Sequence, residues 1–272
     1  MRVDAHHHVW RVDRGDYGWL TPDLPICRDY GLDDLRPLLG DIGATVLVQA
    51  APTEAETQFL LDTARGSGGL VRGVVGWTDL AATDAPVRVA RLARVPLLKG
   101  LRPMLQDIAE TAWILRPEVQ PGLVEMAGRG LVFDALIQPR HLPVVPELAR
   151  WHPGLRIVVD HAAKPDIAGG GFQAWADGIA RVARETAAVC KLSGLVTEAA
   201  AEWTIADLQP YVAHLLEVFG PQRLLWGSDW PVVNLAGGFT RWRETTMELL
   251  RELPSADRDA VLGGTAATVY GL

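Results

Sequence analysis

Short apolar runs alternate along the chain with longer stretches in which apolar residues return every three or four positions. The runs are Val3–His8, Thr45–Gln49, Val71–Gly76, Leu97–Leu101, Leu131–Ile137, Arg156–Asp160, Val189–Ser193 and Arg223–Ser228. Their near-continuous apolar character predicts parallel strands covered on both faces. Helical spacing predicts helices over Thr53–Arg65, Ala85–Arg94, Pro121–Arg129, Phe172–Ala187 and Ile205–Phe219. Eight strands alternating with helices form a parallel α/β fold. The strand count, with 272 residues against the roughly 250 of a typical (β/α)₈ barrel, predicts a closed TIM barrel rather than an open doubly wound sheet.

Two decorations interrupt the alternation. Residues Arg11–Tyr30 form a polar and aromatic insert after the first strand, and a helical tail, Ala256–Tyr270, follows the last repeat. Gly169-Gly170-Gly171 reads as a flexible loop. No composition break divides the chain, so residues 1–272 are expected to form one domain.

Composition narrows the partners. The 26 basic and 33 acidic residues leave a net charge of −7, which argues against nucleic acid and against an anionic membrane. Hydrophobic residues at 49% and charged residues at 22% are those of a chain with a large buried core. No apolar run approaches the ~18 residues of a spanning helix, and the first residues carry no signal-peptide stretch. A cytoplasmic enzyme with a small-molecule substrate is therefore expected, compatible with a homo-oligomer. Cys27 and Cys190 supply neither a disulfide framework nor a zinc cluster.

A doubly wound fold would announce a nucleotide site by a glycine-rich turn after strand one. This first strand instead runs into His6-His7-His8-Val9-Trp10. Catalytic groups of a barrel sit at the C-terminal ends of its strands. Those ends carry Asp4, His6 and His8, then Gln49, then Lys99 and Arg102, then Gln138, then Asp160 and His161, then Lys191 and Ser193, then Ser228 and Asp229. So many polar groups at strand ends imply a wet cavity.

His6 and His8, two apart on a strand, face the same side, and His7 faces the other. Two converging imidazoles make a metal-ligand or anion-polarising geometry. Embedded between a strand and Trp10, they read as native residues rather than an expression tag. Arg102 is a permanent cation suited to a carboxylate, a ring hydroxyl or an oxyanion. Lys191 and Ser193 alternate and both face the pore. A lysine there needs a partner, for which Asp229 or a substrate oxygen would serve. Of ten tryptophans, Trp10, Trp77 and Trp230 stand at strand ends, where an indole can pack on a sugar ring. Trp113, Trp151, Trp175 and Trp203 read as structural.

The segments Asp4-Ala-His6-His-His8-Val-Trp10, Asp160-His161-Ala-Ala-Lys164-Pro165 and Trp226-Gly-Ser228-Asp229-Trp230-Pro231 resemble the amidohydrolase-2 branch of the amidohydrolase superfamily. Leu98-Lys-Gly-Leu-Arg102, Cys190-Lys-Leu-Ser-Gly194 and Gly264-Thr-Ala-Ala-Thr-Val-Tyr270 fit the same pattern, so the resemblance spans nearly the whole chain. Within that branch the chain is similar to sugar-acid lactonases and the pyrone-dicarboxylate lactonase.

The resemblance implies that Asp229 is the general base toward water and that His161 orients the water or polarises the carbonyl. His6 and His8 would complete the catalytic set. It also implies His6, His8 and Asp229 as the ligands of any metal. Metal-dependent members add a strand-five histidine, and its place here falls to Gln138, a poor zinc ligand. No metal is then required, or a divalent ion, zinc by preference, is weakly held, and His6, His8 and Arg102 stabilise the oxyanion.

The reading reached is a hydrolase of a sugar-acid 1,4- or 1,5-lactone. Arg102, Lys191, Gln49, Gln138, Ser193, Trp10, Trp230 and Asn234 would contact the substrate. The alternatives are a metal-dependent decarboxylase or another amidohydrolase-2 hydrolase of a small carboxylic acid. A silent sugar-acid binder is disfavoured by the presence of Asp229 and the histidines.

Overall fold

A computed structural model describes residues 1–272 and shows eight parallel strands: β1 (Arg2–His7), β2 (Ile42–Val48), β3 (Val71–Gly76), β4 (Leu98–Leu101), β5 (Val132–Ala135), β6 (Arg156–Val159), β7 (Val189–Leu192) and β8 (Leu224–Trp226). They pair in chain order from β1 to β8. The barrel closes where His8 N donates to Trp230 O at 2.7 Å and Asp229 N donates to His6 O at 2.8 Å. The Asp4 carboxylate reinforces that seam, accepting from the amides of His6 at 3.2 Å and Ser228 at 2.8 Å. Several strands end a residue or more before their apolar runs do. β5 stops at Ala135, so Leu136 to Gln138 belong to the loop above it.

An inner core of Val3, Ala5, Val46, Val75, Val158 and Leu225 draws on strands from all round the barrel, which places it inside. Tyr270, from the C-terminal helix Thr265–Tyr270, closes this core. The larger core lies between the strands and the outer helices. Helices at Glu54–Gly66, Ala85–Leu92, Gln120–Gly128, Phe172–Glu185 and Ile205–Phe219 match the periodic segments. Two more, Val144–Trp151 and Gly238–Leu249, complete the ring. The tail is not one helix: it breaks into Ser255–Asp259, an irregular turn through Gly264, and Thr265–Tyr270.

Caps follow the sequence. Thr53 accepts from Glu56 N at 3.0 Å, as expected of a threonine at an N-cap. Glu56 turns back to accept from the amides of Ala50 and Ala51, which fixes the loop leaving β2. In the insert, Trp10 and Tyr30 pair through two backbone hydrogen bonds of 3.0 Å. The Trp10 indole packs edge-on against Trp19 and Tyr30, and Tyr30 against Trp230. The insert is thereby stapled over the mouth of the barrel.

Candidate active site

A cavity of about 730 Å³ opens at the C-terminal ends of the strands. His8, Arg102, His161, Lys164 and Asp229 face it. Its sides come from the loops after β2, β3, β4, β5, β6 and β8 and from the insert.

A backbone shift between Asp4 and His7 in β1 brings His6 and His8 to the same interior. Their Nε2 atoms are 3.2 Å apart. His8 Nδ1 lies 2.8 Å from Val48 O. A carbonyl only accepts, so Nδ1 of His8 carries a proton, and its Nε2 meets Asp229 as a hydrogen bond when that nitrogen is protonated as well. His6 Nδ1 lies 3.2 Å from the Lys191 ammonium, which only donates, and 3.7 Å from Asp160 Oδ1, which only accepts. Asp229 Oδ1 stands 3.3 Å from His8 Nε2, 3.7 Å from His6 Nε2 and 4.0 Å from His161 Nε2. Burial pushes the Asp229 carboxyl up, but His161 and His8 outweigh it and hold the group below its ordinary value. Burial lowers His161 to about 4, so its imidazole is neutral near pH 7. Ser193 Oγ bonds its Nδ1 at 2.9 Å. A side chain at Gly194 (φ +64°) would stand 2.5 Å from that same nitrogen, so glycine lets the His161 ring sit against the chain.

The segment that presents His161 has an unusual hand. His161, Ala162, Ala163 and Lys164 all have positive φ, at 52°, 50°, 60° and 51°. Left-handed backbone costs roughly 1–2 kcal/mol per non-glycine residue, and such strain clusters at functional sites. The turn is held by Lys164 N donating to His161 O at 2.8 Å and by the Trp175 indole N–H donating to Ala162 O at 2.7 Å. It carries Lys164 to the cavity, where Nζ stands 3.6 Å from Glu198. Asp229, at φ +56°, is a further left-handed residue of this site.

Beneath the histidines lies a dry ionic cluster. Lys191 is fully buried, and its Nζ contacts Asp134 and stands 2.9 Å from Asp160 Oδ1. Asp160 Oδ2 accepts from Arg102 Nη1 at 3.2 Å. Tyr270 OH donates to Asp134, at 3.0 and 2.9 Å from its two oxygens. Burial raises the Asp134 carboxyl. Burial also pushes on Asp160, but Lys191, His6 and Arg102 together hold it well below its usual range. The partners of Lys191 are therefore Asp134 and Asp160, not Asp229 or a substrate oxygen.

His8, His161, Asp229 and Arg102 line the cavity, and His6 lies fully buried directly behind them. Ser193 and Lys191 touch the histidines rather than the open space. Gln49 is buried behind the wall, its amide donating to Arg102 O at 2.6 Å while Arg102 donates to Gln49 O. Gln138 does not reach the cavity: its oxygen accepts from Arg140 at 3.1 Å, and Leu136 is the strand-five residue that lines the wall. Asn234 is exposed on the turn after β8, and Trp10 and Trp230 are packed inside the aromatic staple. Lys164, Glu198, Asp134 and the cavity-facing Trp19 and Trp113 were not singled out as site residues by sequence. Of these only Lys164 had a signal, its place in the Asp160–Pro165 segment.

The family model described as amidohydrolase matches residues 3–272. This chain belongs to the amidohydrolase family. The amidohydrolase is 45% identical to an L-fucono-1,5-lactonase of Burkholderia ambifaria, over 99% of this chain and 95% of that protein. It is 36% identical to an L-fucono-1,5-lactonase of Burkholderia multivorans, over 100% of this chain and 96% of that one. A crystal structure of an amidohydrolase from Burkholderia multivorans with bound zinc, 36% identical, superposes with a TM-score of 0.94 over 100% and 99% of the two chains.

A divalent metal suits the donors of this amidohydrolase. His6 Nε2, His8 Nε2 and Asp229 Oδ1 are 3.2, 3.3 and 3.7 Å apart. Tetrahedral zinc bonds of about 2.05 Å set ligand atoms about 3.3 Å apart. His161 offers a further nitrogen nearby.

Proposed function

We propose that this amidohydrolase, acting through one domain of residues 1–272, hydrolyses the ester bond of a sugar-acid lactone, with a 1,5-lactone of the L-fucono type as the leading substrate. The observation that carries the reading is the Asp229 carboxylate, held ionised at the cavity floor with three imidazoles within 4.0 Å. The full-length likeness to two L-fucono-1,5-lactonases supports the substrate class.

In this reading a water lies against Asp229, which takes its proton as the oxygen adds to the lactone carbonyl. Negative charge then develops on the carbonyl oxygen. Arg102 and Lys164 are the cations at the cavity, and the neutral His161 can donate a hydrogen bond. Charges fixed in advance in a cavity sheltered from water stabilise such an oxyanion strongly. The tetrahedral intermediate collapses with cleavage of the ring C–O bond. The departing oxygen takes back the proton held on Asp229, giving a hydroxy acid.

Metal is not required in this scheme. A bound divalent ion, held by His8, Asp229 and His6, would supply a Lewis acid and an acidified water. To ligate through Nε2, however, His6 must carry its proton on Nδ1, beside the Lys191 ammonium at 3.2 Å and Asp160 Oδ1 at 3.7 Å. That competition favours weak metal binding. The test is a panel of sugar-acid lactones followed by proton release, with and without chelator. Turnover of L-fucono-1,5-lactone is expected, and a panel without turnover would refute the proposal.

A further inference from the structure

We infer that the outer half of the cavity is a subsite for an apolar substituent on the lactone ring, so that the protein prefers neutral lactones bearing an alkyl branch next to the ring oxygen. The inference rests on the lactonase reading and names the substrate feature that the same site selects. A cavity of about 730 Å³ is of the size that takes a drug-sized ligand. Of its lining, Asp229, His8, His161, Arg102 and Lys164 serve the lactonase scheme, and the rest is left for a substituent.

That outer part is walled by Trp19, Trp77, Met104, Ile108, Trp113 and Leu136. All but Leu136 remain partly exposed, so folding leaves this cluster of large apolar side chains facing open space. Contiguous exposed apolar surface is uncommon and marks binding. The walls come from the insert and from the loops after β3, β4 and β5, and they run without a break into the catalytic floor. The Trp19 indole N–H is already spent on Ala50 O at 2.7 Å. What it offers a ligand is therefore ring surface.

The charges of the mouth point the same way. Asp16, Asp79 and Asp107 line it, Asp16 paired with Arg14 at 2.8 Å, whereas the two cations of the cavity are tied to Asp160 and Glu198. An anionic substituent in the outer half would face carboxylates, and a polar one would lose water against indole and thioether. An alkyl group meets neither cost.

The test is a series of δ-lactones differing only in the alkyl chain at the ring carbon bearing oxygen: δ-valerolactone, δ-hexalactone, δ-octalactone and δ-decalactone. A fully buried methylene is worth about 0.8 kcal/mol, or about fourfold in kcat/KM. The expected result is a rise of about two- to fourfold per methylene, with the slope reduced by Trp113→Ala and by Met104→Ala. Trp151→Ala, an exposed residue outside the cavity, should leave the slope unaltered. Calorimetric binding of the same series to Asp229→Asn reads the subsite without turnover, and δ-decalactone should bind at least tenfold tighter than δ-valerolactone. Equal affinities across the series, or a slope indifferent to Trp113 and Met104, would overturn the inference while leaving the lactonase reading intact. Affinities that climb with chain length in a protein that opens no lactone would sink the lactonase reading and keep the subsite.

Discussion

Replacing Lys191 with methionine removes the one ammonium that Asp134 and Asp160 share in the barrel interior. All three side chains are fully buried. At a separation near 3 Å and an effective dielectric of 20, each lysine–carboxylate attraction is about 5 kcal/mol before desolvation is counted. Asp160 keeps Arg102 as a second cation, but Asp134 keeps only the Tyr270 hydroxyl. Deleting one partner of a buried pair costs about 3–5 kcal/mol because the survivor is left charged and dry. With an unfolding entropy of about 2.1 cal/mol/K per residue, that corresponds to a fall of roughly 5–9 °C in Tm for a chain of this length.

The loss should depend on pH in a definite direction. Burial already raises the Asp134 carboxyl in the presence of lysine, and without lysine it rises further. A carboxyl whose folded pKa exceeds its unfolded one stabilises the protein at low pH, and that stability fades as pH climbs through the folded pKa. The deficit of Lys191→Met should therefore be smaller at pH 5 than at pH 8, read as Tm by circular dichroism or calorimetry. Adding Asp134→Asn should recover much of it, since the remaining Asp160–Arg102 pair is neutral overall. A deficit under about 1 kcal/mol, or one equal at both pH values, would refute this account of the cluster.

Asp229→Asn keeps the shape of the side chain and loses its basicity, so kcat for lactone opening should drop by about 10²–10⁴. KM and Tm should change little. Because Asp229 is held below its ordinary pKa, the acid limb it contributes should lie below the usual carboxylate range in the wild type and vanish in the variant. Chelation should leave most lactonase turnover in place; a stoichiometric metal whose removal abolishes activity would refute the metal-free scheme. Ser193→Ala should lower kcat severalfold with little change in KM, because the hydroxyl orients His161 through Nδ1, and Ser193→Thr should restore part of the rate.

The barrel was readable because each strand is buried on both faces and so appears as an apolar run closed by a polar residue. The residues flanking the metal-type donor set were readable because His6-x-His8 and Ser228-Asp229 sit at fixed strand ends. Gln138 misled for a geometric reason. β5 ends three residues earlier, and the chain is already turning into Pro139–His141, with Gln138 N bonded to His141 Nδ1. Asp134 was hidden because a single acid within an apolar strand gives no hint of a lysine 57 residues away. Trp113 reads as helix packing until the loop after β4 is seen folded over the cavity. Lys164 was visible as a letter of a motif but not as a cavity residue, since nothing in Asp-His-Ala-Ala-Lys reveals the hand of its backbone.

That hand has a consequence for how this segment tolerates change. The turn from His161 to Lys164 follows the mirror image of the helices around it, the path natural to D-amino acids. Glycine at 162 or 163 should relax the backbone while freeing Lys164 to leave the cavity. Chemical incorporation of D-alanine at the same two positions should relax it and keep Lys164 in place. A one-residue insertion has no such remedy, because it rotates Lys164 out of line with His161 and leaves Trp175 without its carbonyl. The four-residue turn is thus a unit of fixed length, open to glycine or D-alanine at its two buried alanines and closed to insertion or deletion.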